Sequence, residues 1–155
     1  MQGNHIRNAV RAIIIEDGKI LLCKYEDKEG IFYACVGGGQ NTFEDIHSAL
    51  RRECKEEINS EIIIEKMVCV REAFFDNYDK SGAIERIHQI EYFFKCSLKD
   101  MKNICIGDNP DFNSLGFEWI PLKKLKDLRV FPSLFKEYIH LDGTFEDIVY
   151  LGLSN

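Results

Sequence analysis

A chain of 155 residues, 45% of them hydrophobic and 30% charged, holds enough apolar side chains for one core and too few residues for two ordinary domains. A single domain over 1–155 is expected. Eleven Phe argue against disorder, and a formal net charge of -6 argues against binding a nucleic-acid polymer, which relies on clustered Lys and Arg. A small polyanion held through metal ions remains open, because bound cations reverse the local field.

Six cysteines (Cys23, Cys35, Cys54, Cys69, Cys96, Cys105) form no CxxC pair and sit mostly in apolar runs, so they read as reduced core residues. The four histidines are scattered singly, so no zinc site is expected. The start of the chain lacks a basic segment followed by a long apolar stretch, and no apolar run approaches the ~20 residues of a membrane span. No membrane association and a cytoplasmic location are expected.

In chain order, Ala9 to Ile15 is apolar and β-branched apart from Arg11, Glu16 to Lys19 offers a turn, and Ile20 to Tyr25 resumes the pattern, which predicts a β-hairpin. Ile31 to Val36 predicts a third strand running into a special loop that begins at Gly37-Gly38-Gly39. From Thr42 to Ile58 the apolar residues recur at spacings of three and four, which predicts a helix with Thr42 as N-cap and Asn59 as left-handed C-cap.

Glu61 to Phe75 reads as a long strand with a mixed pattern, Asp76 to Ala83 as a polar loop, and Ile84 to Leu98 as a second long strand. Lys99 to Ser114 carries Gly107-Asp108-Asn109-Pro110 and reads as an irregular, substrate-side connection. Leu115 to Ile120 predicts a short strand, Pro121 a turn of helix, and Pro132 a second helix through Ile139, while the tail from Phe145 to Leu151 is ambiguous. Strands on both sides of one strong helix point to an α/β or α+β class with a mixed sheet.

The helix carries the chemistry. At ~100° per residue, Glu53 and Glu57 lie ~40° apart around its axis, with Glu56 on the adjoining edge. Like charges at i and i+4 repel by ~0.2 to 0.5 kcal/mol, and acids near a helix C-terminus oppose its dipole. Arg52 can pair with Glu56, but Glu53 and Glu57 have no nearby sequence partner at the right spacing. One reading is a solvated acidic helix end. The other is a bound divalent cation, with hard oxygen ligands suited to Mg2+ or Mn2+ and to phosphate hydrolysis.

Gly38, five residues, Glu44, seven residues, then Arg52-Glu53-Cys54-Lys55-Glu56-Glu57 resembles the signature of the Nudix hydrolase family. The chain departs from it at Asn59 and Ser60, where a glycine and an aliphatic residue are usual, at Val36, where proline is frequent, and over Gln40 to Phe43, around a usual second glycine. Glu72-Ala73-Phe74-Phe75 with His88-Gln89-Ile90-Glu91 resembles a poorly characterised bacterial branch of that family.

The resemblance implies an α/β/α sandwich with a mixed sheet. It also implies a Mg2+-dependent, or Mn2+-dependent, hydrolase cleaving a pyrophosphate bond in a nucleoside diphosphate linked to another moiety, such as a nucleoside triphosphate, nucleotide sugar or dinucleoside polyphosphate. Glu53 and Glu57 would be metal ligands, Glu56 a ligand or the water-activating base, and the Gly37 carbonyl a further ligand. Gly38 and Gly39 would cradle the diphosphate, and Glu44 and Arg52 would be structural and paired. Alternatives are a nucleotide-binding sensor without turnover and a prenyl diphosphate isomerase on the same scaffold, the latter needing a further cysteine and glutamate pair. A homodimer is compatible with all of them.

Arg11 shares strand parity with Ile13 and Ile15 and is either a substrate-facing donor or an arginine snorkelling to water. Arg71 and Arg86 are weaker candidates. Phe74, Phe75 and Tyr78 either stack on a base or pack in the core. Glu91 and Glu118 stand in apolar strands, where an acid needs a partner or a function, and each is a candidate additional ligand or base. His88 is assigned to the sheet rather than to catalysis.

Overall fold

The computed structural model describes residues 6–78, 82, 84–109, 111, 113–133, 135–145 and 149–153, with the side chains of Asn77, Tyr78, Phe135, Val149 and Leu153 excepted. Strands β1 (Ile6–Glu16) and β2 (Lys19–Asp27) form the expected hairpin around Asp17 and Gly18. Both of these have positive φ, 47° and 69°, the pair of values that a two-residue turn matched to strand twist requires. The hairpin pairs only at its base, Ile15 with Ile20 and Glu16 with Lys19, because β3 (Gly30–Gly39) enters between the diverging strands. Leu22 to Asp27 pair with the first half of β3, and Ala9 to Ala12 pair with Val36 to Gly39.

The glycine run is therefore the end of a strand, where the sequence predicts the start of a loop. Its backbone lies so close to β1 that a Cβ on Gly37 would stand 2.0 Å from the Val10 carbonyl oxygen. A second correction concerns the helix. It spans Ile46–Ile58 (α1) with Asp45 as N-cap, whose carboxylate accepts from Ser48 N at 3.0 Å, in place of a start at Thr42. Phe43 has φ 63°, which no helix admits, so the chain enters the helix only after it. Asn59 closes the helix in the left-handed conformation, φ 49° and ψ 37°, as expected.

β4 (Ile62–Tyr78) and β5 (Ile84–Leu98) form a long antiparallel pair. Bulges between Ile64 and Lys66 and between Met67 and Cys69 account for the imperfect alternation of the first of them. The expected loop from Asp76 begins later than the sequence predicts, since β4 runs to Tyr78, and much of the remainder lies outside the described residues. β6 (Ser114–Pro121), a 3-10 helix (Leu122–Asp127) and β7 (Val130–Phe131) follow. The second helix is only Phe135–Tyr138 (α2), shorter than expected, and the ambiguous tail resolves into β8 (Val149–Leu153), a parallel partner of β4.

Among the described residues the sheet has eight strands in the order β6-β2-β3-β1-β5-β4-β8, with β7 on β3. It is mixed, since β1–β5, β3–β7 and β4–β8 are parallel and the other pairs antiparallel. Helix α1 covers one face through Ala49, Leu50, Cys54 and Ile58, packed on Val10, Ala12, Ile14 and Val36. The other face carries a thinner layer, Leu122 and Leu125 of the 3-10 helix with Tyr138, over Ile13, Ile20 and Phe93. This is the expected α/β/α arrangement with a slight third layer. Five of the cysteines are buried and none is bridged, while Cys105 is exposed, against the expectation of a core thiol. No described helix is long and apolar enough to cross a membrane.

Candidate active site

The end of β3 and the helix α1 place the signature glutamates against the sheet. Glu57 is 6% exposed, and its carboxylate accepts from Gly37 N at 2.8 Å, from the Tyr25 hydroxyl at 3.3 Å and from the Cys23 thiol at 3.5 Å. Burial pushes its carboxyl up to about 7, although the Gly37 N–H and nearby Arg11 favour the charged form. Burial likewise raises the Glu53 carboxyl, against the pull of Arg52.

Arg52 organises the outer half of the site. Its Nε and Nη2 hold Glu44 at 2.8 and 2.9 Å, Nη2 also donates to the Gly39 carbonyl at 2.9 Å, and Nη1 reaches Glu53 at 2.7 Å and Glu56 at 3.3 Å. The expected Glu44–Arg52 pair is present. The expectation that Glu53 lacks a nearby partner is corrected: the adjacent guanidinium bends back to it, a contact that helical spacing rules do not anticipate. Gly38 makes room for this carboxylate, since a Cβ there would stand 2.4 Å from Glu53 Oε2.

The connection after β5 caps the helix. Cys105 N, Gly107 N and Asn109 N donate to the Ile58, Glu57 and Glu56 carbonyls at 3.2, 3.0 and 3.3 Å, satisfying groups that a helix end leaves open. The fit is tight, for a Cβ on Gly107 would lie 1.9 Å from the Glu56 carbonyl oxygen. The same connection delivers Asp111, which stands 3.4 Å from the Tyr25 hydroxyl and whose charge raises both Glu53 and Glu57. The sequence predicts this segment to be substrate-side without singling out Asp111.

Beside the glutamates opens a cleft of about 610 Å³ between the β1–β5–β4 surface and the β2–β3 hairpin. Arg11 lines it and does not snorkel to water: its Nε donates to Glu91 Oε1 at 2.9 Å and its Nη1 to the Gly37 carbonyl at 2.7 Å. That carbonyl, the expected metal ligand, is thus already engaged. Arg71 Nε donates to the second Glu91 oxygen. Burial alone would raise the Glu91 carboxyl, but Arg11 and Arg71 together hold it below the usual carboxylate range. Glu91, 1% exposed, stands between two guanidinium groups that engage both of its oxygens, the arrangement of a counter-charge.

Glu118 does not line the cleft; it is half exposed, beside Lys24 at 3.5 Å and the Tyr33 hydroxyl at 3.2 Å. Phe74 and Phe75 line the cleft with 52% and 37% exposure, so the core reading of this pair does not hold. The Tyr78 side chain lies outside the described residues. Arg86 pairs with Asp76 at 3.4 Å on the surface, and His88 packs edge-on against Phe74. Arg7, which the sequence left unmarked, stands against Gly39 and donates to Gln89. Only the β1–β5 pairing, across more than eighty residues, could reveal it.

Among the described residues no three His, Cys, Asp or Glu side chains already stand grouped as metal ligands; the cation between Glu53 and Glu56 is the Arg52 guanidinium. The donor chemistry nonetheless fits a hard divalent ion. Carboxylates of one helix meet at the glycine cradle, and two of them are held above their ordinary pKa by burial, a cost that a cation would relieve.

Acidic helix residues packed on a glycine strand end, with a cleft beside them, are the arrangement of a hydrolase site. The NUDIX domain model matches residues 5–140, and the chain belongs to this family, as a Nudix-type pyrophosphohydrolase. Among its relatives, the nucleoside triphosphatase NudI of Salmonella agona (strain SL483) is 35% identical over 107 residues, 66% of this chain and 75% of that protein. A NUDIX hydrolase from Nitrosomonas europaea has a similar structure, with TM-score 0.66 at 17% identity over 96% of this chain and 80% of that one. An ADP-ribose pyrophosphatase from Streptococcus suis gives TM-score 0.57 at 17% identity over 97% and 100%. At such identities the structural likeness speaks for the fold alone.

Proposed function

We propose that this protein uses Mg2+, or Mn2+, to hydrolyse a pyrophosphate bond in a nucleoside diphosphate linked to another moiety, with nucleoside triphosphates the first substrates to try. The observation that carries the reading is Glu57, buried on the helix that also bears Glu53 and Glu56, and hydrogen-bonded to Gly37 N and to the hydroxyl of Tyr25, which lines the cleft. The NudI relative supports the triphosphate choice.

Glu53, Glu56 and Glu57 would hold the metal, with Asp111 close enough in charge to add to the site. A divalent ion there supplies Lewis-acid polarisation of phosphate oxygens and activation of water. Arg7 beside Gly39 and Arg11 beside Gly37 bring positive charge to the strand end where the phosphates would lie. Glu56, the most exposed of the three glutamates, is best placed to exchange a proton with water.

The test is product release from a panel of nucleoside triphosphates, nucleotide sugars and dinucleoside polyphosphates with Mg2+, Mn2+ or EDTA, repeated with Glu57→Gln. Metal-dependent turnover that falls by about a thousandfold in the variant is expected. Binding without turnover would favour a sensor. The isomerase alternative finds Cys23 at 3.5 Å from Glu57, but this thiol is 3% exposed and does not line the cleft.

A further inference from the structure

The cleft has a floor that offers hydrogen-bond donors and withholds acceptors. Glu91 spends one carboxylate oxygen on Arg11 and the other on Arg71, and is itself 1% exposed. Gln89, 2% exposed, accepts from Arg7 Nη1 at 2.9 Å through Oε1. That bond fixes which end of the carboxamide is which, so the NH2 end is left, and its nitrogen has no partner among the described residues. The guanidinium groups of Arg11 and Arg71 carry no acceptor at all. The carboxylates that line the cleft are other residues than those of this floor: Asp111 beside the Tyr25 hydroxyl at 3.4 Å, Asp27 clamped by Arg129 at 2.7 and 2.9 Å, and Asp76 paired with Arg86.

The shape around Gln89 suits a flat ring. Ala73 is its cross-strand neighbour on β4 and contributes only a methyl group, and the exposed Phe74 and Phe75 rings also line the cleft, whereas the Phe32 ring is occupied by Tyr25, stacked on it at 5.2 Å, and by the Arg129 guanidinium. A small residue beside exposed aromatic rings leaves space for a planar heterocycle.

Resting on the reading of the site given above, we infer that this floor reads the exocyclic group of a nucleobase, with the Gln89 carboxamide donating to a ring carbonyl and disfavouring an amino group in the same place. An amino group would turn its own N–H bonds toward buried N–H donors and leave both sides unsatisfied, whereas a carbonyl satisfies them.

Two substrate pairs isolate that difference, inosine with adenosine triphosphate and uridine with cytidine triphosphate, in which an oxo group and its ring proton replace an amino group. With Mg2+ the oxo member is expected to have the larger kcat/KM by roughly tenfold or more in the pair whose ring the cleft accepts. Gln89→Met, checked for folding by thermal unfolding, is expected to bring that ratio close to one. Should the variant not fold, the wild-type protein is given guanosine triphosphate against the triphosphate of 2,6-diaminopurine riboside, with the same preference expected. Equal or faster turnover of the amino members, or a preference unchanged in folded Gln89→Met, overturns the inference while leaving the hydrolase reading intact. Turnover of none of these nucleotides with either metal overturns the choice of nucleoside triphosphates and the inference with it.

Discussion

Replacing Glu91 by glutamine removes the carboxylate that two guanidinium groups share, in a largely buried cluster. The Glu91 side chain is 2% exposed, Arg11 17% and Arg71 10%, and each arginine donates to a different carboxylate oxygen. Breaking a buried ion pair by deleting one partner costs about 3–5 kcal/mol, because the remaining charge is left uncompensated. Glutamine still offers one oxygen, so Glu91→Gln should sit near the lower end and Glu91→Leu near the upper. For a chain of this size that corresponds to a fall in Tm of roughly 10 °C. Denaturant unfolding of both variants, with Glu118→Gln as a control expected within about 0.5 kcal/mol of wild type, measures it. The sequence leaves Glu91 open as a base or ligand. A folded Glu91→Gln protein within about 1 kcal/mol of wild type, but a hundredfold or more slower, would refute the structural role argued here.

Three further outcomes are expected. In metal-free protein the raised Glu57 carboxyl, about 7 against an ordinary 4.5, makes the fold favour the protonated form. Its contribution is fully present below pH 4.5 and lost as pH rises through 7, so in EDTA Glu57→Gln should overtake wild type in stability across that window, by about 3 kcal/mol at pH 8. Urea unfolding at pH 4.5 and 8 reads the crossover, and parallel curves would contradict it. Gly107→Ala places a Cβ 1.9 Å from the Glu56 carbonyl oxygen and should cost about 1–3 kcal/mol, with faster hydrogen exchange at the helix end that Cys105, Gly107 and Asn109 cap. Arg52→Lys loses the two-point grip on Glu44 and should destabilise by about 1–2 kcal/mol in thermal unfolding, a charge-conserving change that is not conservative in geometry.

Local rules made much of this protein legible from its residues alone. The Asp17-Gly18 turn, the helix period ending in left-handed Asn59 and the spacing from Gly38 to Glu57 each depend on neighbours within one turn or one signature, where backbone preference and side-chain period act directly. The family, the fold class and the acidic helix face followed from them. The helix start is not legible because Phe43 adopts a positive φ that composition does not announce, and the glycine run reads as loop because its partner strand lies twenty-five or more residues earlier.

What tertiary structure alone decided is which charges meet. Arg11 and Arg71 reach Glu91 across 80 and 20 residues, Asp111 arrives beside Tyr25 across 86, and Arg7 turns Gln89 into a donor across 82. A carboxylate in an apolar strand looks the same in sequence whether it binds a metal or neutralises two arginines. The two roles differ only in what the parallel β1–β5 and antiparallel β4–β5 pairings bring within 3 Å, a distance set by sheet register rather than by any residue's own preference.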